Sequence, residues 1–238
     1  MPTQYFEKET SEAAQRFNIY AGIHKAVRAF LCDTLVRVAT LDIEDRQAMF
    51  HTIRQLRELL AFCSDHIAHE DRFVHPAMER RQPGSSGDTA GDHLHHAQTL
   101  ASLRAAADVL EHGAPDEKPA AWSRLHRELA VFVGESLLHM DLEESANNQV
   151  LQGCYSDGEL VALHQEILGA LTPQEMVVAT RWMMIGSSPA ERAQVMAGMR
   201  ADAPPPAFEA MLGIARDSLS PGDWNKLAAA LAPVAIAA

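Results

Sequence analysis

The stretch His66-Ile67-Ala68-His69-Glu70 carries a histidine and a glutamate four residues apart, and His139-Met140-Asp141-Leu142-Glu143 repeats that spacing later in the chain. On an α-helix, side chains at i and i+4 leave the same face one turn apart. Each stretch therefore has the form of half a metal site. Both lie within long apolar seams. Met49, Ile53, Leu56, Leu60, Cys63, His66/Ile67, Glu70, Phe73/Val74 and Ala77 succeed one another at spacings of three and four. So do Trp122, Leu125, Leu129, Phe132, Ser136, His139, Glu143, Ala146/Asn147 and Val150. That period marks the buried stripe of a helix, so these histidines and glutamates stand where a core would take leucine.

Two more seams complete a set of four. Tyr20, Ile23/His24, Val27, Phe30/Leu31, Leu35, Val38 and Leu41 put His24 on a buried stripe, and His93, His96, Leu100, Leu103, Ala107 and Leu110 do the same for His93 and His96. The breaks between seams carry loop signals: Asp42 to Asp45, Arg81-Gln82-Pro83-Gly84-Ser85-Ser86-Gly87-Asp88, and Gly113 to Pro119. Residues 1–16 are polar and mixed and read as an N-terminal arm, 17–155 as a helical bundle, and 156–238 as a helical extension without a second ligand cluster. Within the extension, Thr172-Pro173-Gln174-Glu175 and Ser188-Pro189-Ala190-Glu191 have the pattern of a cap, an N1 proline and a capping-box glutamate. Ala203-Pro204-Pro205-Pro206 breaks the run before a helix near Ala207 to Ser218, and Pro221 opens a last one. Trp182, Trp224 and the methionines at 183, 184, 196, 199 and 211 read as packing.

Composition narrows the partners. Lys plus Arg number 20 against 32 Asp plus Glu, a formal charge of −12, which argues against nucleic acid and anionic membranes. The three cysteines, Cys32, Cys63 and Cys154, are far apart and form no CxxC. This argues against a disulfide framework or a thiolate site and fits a reducing cytoplasm. No run of apolar residues is long enough for a membrane helix, and the N-terminus lacks the basic and apolar regions of a signal peptide. A soluble cytoplasmic protein is expected. The C-terminal helices leave room for a homo-oligomer or a partner.

A glutamate inside a bundle is costly unless its charge is compensated. Two of them among four or more imidazoles point to a metal. Imidazole with carboxylate suits iron, zinc or manganese. The donors exceed the needs of one tetrahedral zinc and match two ions bridged by both carboxylates, with a position left open.

At this point the residues resemble a known family. His24, then His66-xxx-Glu70 followed by Asp71-Arg72-Phe73-Val74-His75-Pro76, then the histidines at 93 to 96, then His139-xxx-Glu143-Glu144, is similar to the hemerythrin-like (HHE cation-binding) family over about residues 17–155. The resemblance implies an all-α protein: an up-down-up-down four-helix bundle, here with a C-terminal helical extension, holding a non-haem diiron centre bridged by two glutamates. It implies binding of dioxygen or nitric oxide at an open iron position, as carrier, sensor or repair protein for damaged iron centres. Carried over, the metal ligands are His24, His66, Glu70, His139 and Glu143, with His93 the best third-helix match and His96, on the same face, nearly as good. The cofactor expected is two iron ions, with zinc or manganese able to replace them in purified protein. The Glu143 spacing favours a set of four histidines and two glutamates over that of the oxygen carriers, which place a carboxylate five residues after the fourth-helix histidine. Glu144 holds that fifth position here. A diiron oxidase or peroxide scavenger on the same site, and a sensor whose output lies in residues 156–238, remain alternatives. A ferritin-like site is set aside because its Glu-x-x-His spacing is absent from the chain. Of the other residues, His69 is a candidate for backing the site, Asp71 and Asp141 are expected either to back it or to face solvent, and His75 is expected to contact backbone at a helix end. His51, His112, His126 and His164 are expected at the surface or in packing.

Overall fold

The computed structural model describes residues 16–232; of the expected N-terminal arm, residues 1–15 lie outside the described residues. Every element is helical, and there is no strand among the described residues. Helices α1 (Ala21–Ala39) and α2 (Arg46–His69) lead into a π-helical turn, Glu70–Val74, and a short α3 (His75–Arg81). Then come α4 (Gly87–His112) and α5 (Lys118–Leu142), a second π-helical turn, Glu143–Asn147, and α6 (Asn148–Cys154). Five shorter helices follow: α7 (Asp157–Ala170), α8 (Pro173–Gly186), α9 (Pro189–Asp202), α10 (Pro205–Ser218) and α11 (Pro221–Leu231).

The starts of these helices follow local chemistry. Asp45 accepts hydrogen bonds from the N–H groups of Gln47 and Ala48 to open α2. Complete capping boxes, Ser156 with Glu159, Thr172 with Glu175 and Ser188 with Glu191, open α7, α8 and α9. Such a cap stabilises a helix by about 1 kcal/mol. Between α3 and α4 the chain turns through Gly84 at φ 86°, a conformation glycine adopts without penalty. There the Glu79 carboxylate accepts hydrogen bonds from the N–H groups of Gly84 and Ser86 at 2.6 and 2.9 Å.

The four long helices form the bundle: α1 packs on α2, α2 on α4, α4 on α5, and α5 closes back on α1. Short loops between sequential neighbours make the run up-down-up-down. Phe30, Leu31, Leu56, Leu60, Leu103 and Leu129 fill its centre and are fully buried. A second cluster, Ile19, Tyr20, Val74, Met78, Leu151 and Leu160, closes the end formed by α3, α6 and α7.

One feature departs from a plain reading of the seams. Helical periodicity alone carries both glutamate-bearing helices straight through their glutamates, yet each backbone switches there to a π turn. The N–H of His75 bonds to the carbonyl of Glu70, and that of Asn148 to the carbonyl of Glu143. After the first π turn the expected Val74 and Ala77 are buried, with Met78 beside them, and after the second Leu151 takes the place expected for Val150. Single π turns of this kind concentrate at functional sites.

One helix of the C-terminal extension packs directly on the bundle. Helix α8 runs antiparallel along α1, with Trp182 stacked on Phe30 at 4.0 Å and 13°. Val178, Ala179 and Trp182 belong to the bundle's own core. Helices α9 to α11 pack on the other side of α8 around Met184, Met196, Phe208, Ala215 and Leu227. No helix among the described residues is long and apolar enough to cross a membrane.

Candidate metal centre

The bundle brings six of the seven expected ligands to one place. His24 comes from α1, His66 from the last turn of α2, His93 from α4 and His139 from the last turn of α5. Glu70 and Glu143 are the first residues of the two π turns. All are buried except His66, which is partly so. Donor atoms of His24, His66, Glu70 and Glu143 lie within 4.8 Å of one another, and so do those of Glu70, His93, His139 and Glu143.

The two carboxylates divide their oxygens between the two histidine pairs. Glu70 directs Oε1 at Nε2 of His66 and His24, at 3.3 and 3.6 Å, and Oε2 at Nε2 of His93, at 3.5 Å. Glu143 directs Oε2 at Nε2 of His24, at 3.3 Å, and Oε1 at Nε2 of His139 and His93, at 3.3 and 3.7 Å. These separations are longer than good hydrogen bonds. Accordingly His24 Nε2, His66 Nε2 and all four carboxylate oxygens of Glu70 and Glu143 have no hydrogen-bond partner. One buried polar atom without a partner costs on the order of 1–3 kcal/mol. Six gathered in one pocket are consistent with a metal site, where a bound cation would satisfy them. Nε2 of His93 and Nε2 of His139 face each other at 3.0 Å. That is a hydrogen-bond distance, at which one ring donates N–H to the lone pair of the other.

Carboxylates hold three of the four rings from behind. His93 Nδ1 lies 2.7 Å from Asp71 Oδ1, His139 Nδ1 lies 3.1 Å from Asp92 Oδ2, and His24 Nδ1 lies 2.9 Å from Glu144 Oε1. A carboxylate that accepts Nδ1–H fixes the tautomer and leaves the Nε2 lone pair aimed at the centre. The π turns make this possible: Asp71 and Glu144, each directly after a buried glutamate, reach the neighbouring rings. Asp71 also holds His75 Nδ1 at 3.0 Å, and the His75 ring stacks on His93 at 4.8 Å. His75 Nε2 meets the hydroxyl of Thr89 at 3.2 Å, and the Asn147 amide donates to that hydroxyl at 3.1 Å.

The charge balance follows from this packing. Burial opposes an imidazolium at His24, but Glu143, Glu144 and Glu70 outweigh it and raise its pKa to about 10. The same contest, decided by Glu143, Glu70 and Asp71, takes His93 to about 9. Burial would raise the Glu143 carboxyl, yet His139, His24 and His93 hold it well below the usual range. His66 is lowered by burial, and the Tyr20 hydroxyl is raised by burial and then by Glu70 and Glu143.

His96, the seventh candidate, lies outside both groups. It sits edge-on to His139 at 5.0 Å and to Phe132 at 5.4 Å, and burial followed by the charge on His139 lowers its pKa to about 4. With His66, His139, Val27, Cys63, Ile67, Phe132, Ser136 and Met140 it lines a cavity of about 20 Å³ beside the centre. The choice left open between His93 and His96 is thus divided by geometry: His93 faces the carboxylates, His96 the cavity. Burial takes the Cys63 thiol up to about 12. His69 faces α8, with Nε2 3.6 Å from Glu175, and Asp141 is exposed. His75 contacts side chains rather than the backbone expected for it. Asp92, Glu144 and Arg28 were not expected behind the rings, and Tyr20 was expected only as a residue of the α1 seam. The one available signal was the acidic residue directly after each seam glutamate, Asp71 and Glu144.

The family model described as Hemerythrin HHE cation binding domain matches residues 17–148. No curated protein and no solved structure matches the chain.

Proposed function

Because the chain belongs to the hemerythrin HHE cation-binding domain family, we propose that its buried cluster holds two iron ions and takes up dioxygen or nitric oxide. The observation that carries this reading is the division of the Glu70 and Glu143 oxygens between two histidine pairs, with six buried donor atoms otherwise unpartnered. The residues fit the metal: four imidazoles and two carboxylates, with no thiolate among them, suit iron. When bound, a reduced iron pair supplies electrons and an exchangeable coordination position.

The chain supplies the rest. His24, His66, Glu70 and Glu143 would hold one ion, and His93, His139 and the same glutamates would hold the other. Asp71, Asp92 and Glu144 orient the rings. Tyr20 and the apolar cluster around Leu160 keep bulk water from one end. On the other side the cavity of about 20 Å³ is walled by Val27, Ile67, Phe132 and Met140. A volume of this size admits about one water-sized molecule, which favours a diatomic ligand over a bulky substrate.

The test is anaerobic reconstitution with ferrous iron, then exposure to dioxygen or nitric oxide. A visible band that appears with the gas and disappears when it is removed is the expected result. Rapid bleaching with release of peroxide would replace uptake by turnover, and a colourless protein throughout would overturn the iron assignment.

A further inference from the structure

The two halves of the centre look alike at their inner atoms and differ behind the rings. On the His93 and His139 side, both Nδ1 atoms face a carboxylate, Asp71 at 2.7 Å and Asp92 at 3.1 Å. No arginine or lysine pairs with either aspartate among the described residues. The other neighbour of Asp71 is His75, an imidazole and not a fixed cation, whose Nδ1 meets the same oxygen at 3.0 Å. On the His24 and His66 side the support is weaker. Glu144 Oε1 meets His24 Nδ1, but the same oxygen also accepts from Arg28 Nη1 at 2.6 Å. Nδ1 of His66 has no hydrogen-bond or ion-pair partner among the described residues.

We propose that the two metal positions are unequal, with the one on His93 and His139 filling first and holding its ion more tightly, and the one on His24 and His66 exchanging first. The inference rests on the two-ion reading above. An imidazole that donates Nδ1–H to an anionic carboxylate becomes more basic at Nε2 and binds a cation more strongly. Asp71 and Asp92 give two such rings and two negative charges to one position. Glu144 gives the other position one such ring, and the Arg28 guanidinium offsets its charge. Asp71, Asp92 and Glu144 are thus positioning residues, and Arg28 weakens the position nearest to it.

The test is a titration of the metal-free full chain with cobalt(II), followed by visible absorbance and by competition with a chelating dye. Two equivalents in two resolved steps are expected. Loss of a carboxylate behind a ligand lowers affinity by about 10–100-fold. Asp71→Asn and Asp92→Asn should each weaken the first step by that factor, whereas Glu144→Gln should weaken the second step alone. Arg28→Gln should tighten the second step, a gain that damage to the fold would not produce. Anomalous scattering from a crystal at one equivalent should place the cobalt between His93 and His139. Two steps of equal affinity, Asp92→Asn acting on the second step alone, or the first ion found at His24 would overturn the inference while leaving the two-ion centre standing. One equivalent or none in the unaltered chain would overturn both.

Discussion

Loading the centre should expel protons, and their number follows from the carboxylates that face its rings. With pKa values of about 10 and about 9, His24 and His93 are both protonated at pH 7 in the metal-free protein. Neither can keep a proton on a nitrogen that binds an ion. His66, lowered by burial, is already neutral, and Glu143, held down by its histidines, is already ionised, so neither adds to the count. Full loading at pH 7 should therefore release about two protons per chain. With two protons released, overall affinity rises about 100-fold per pH unit up to roughly pH 8.5, or about 2.7 kcal/mol. Calorimetric titration with zinc in buffers of different ionisation enthalpy counts the protons directly, and repeating it from pH 7 to 8.5 gives the slope. No buffer dependence at pH 7, together with a flat affinity profile, would refute the charge balance drawn from these distances.

The same shifts make the metal-free fold sensitive to alkali. His24 and His93 are raised above the ordinary 6.5, so the stability they contribute is full below pH 6.5 and is lost as pH rises through about 9 to 10. Thermal unfolding of metal-free protein should fall over that window and that of the loaded protein should not; equal profiles would count against it. In Gly186→Ala, the new Cβ would meet the Lys25 carbonyl at 2.6 Å and the Ala29 Cβ at 3.1 Å. Forcing α8 off α1 should cost about 1–3 kcal/mol in urea unfolding, and an unchanged midpoint would deny this close approach. Trp182→Ala removes the ring stacked on Phe30 and should cost about 3–5 kcal/mol. A loss below about 1 kcal/mol would mean that α8 is not part of the bundle core.

Much of the centre was legible because its ligands replace core residues. His66, Glu70, His139 and Glu143 interrupt apolar seams, and a period of three to four residues places any seam residue inward. The third helix resisted, since His93 and His96 share one stripe and periodicity cannot say which of two inward rings meets a carboxylate. What separates them is the depth of each residue along the bundle axis, set by how α4 packs against α2 and α5. The π turns were not legible either. Each adds one residue at a position where helical propensity is unremarkable, and only the shift from Val150 to Leu151 betrays it. The carboxylates behind the rings illustrate a third kind of gap. Asp92 reaches His139, 47 residues away, and no local pattern reports a contact of that range. The place of α8 was hidden for the same reason: its capping box gives its start, but only the stacking of Trp182 on Phe30 says which surface it covers.

The central claim is that Glu70 and Glu143 bridge two cations inside the bundle. Metal content after anaerobic reconstitution with ferrous iron and removal of excess tests it most directly, with Glu143→Ala measured beside the unaltered chain. Two equivalents per chain, falling below one in Glu143→Ala because both positions lose a donor, is the result the geometry predicts. No bound iron in the unaltered chain, or two equivalents retained by Glu143→Ala, would contradict it.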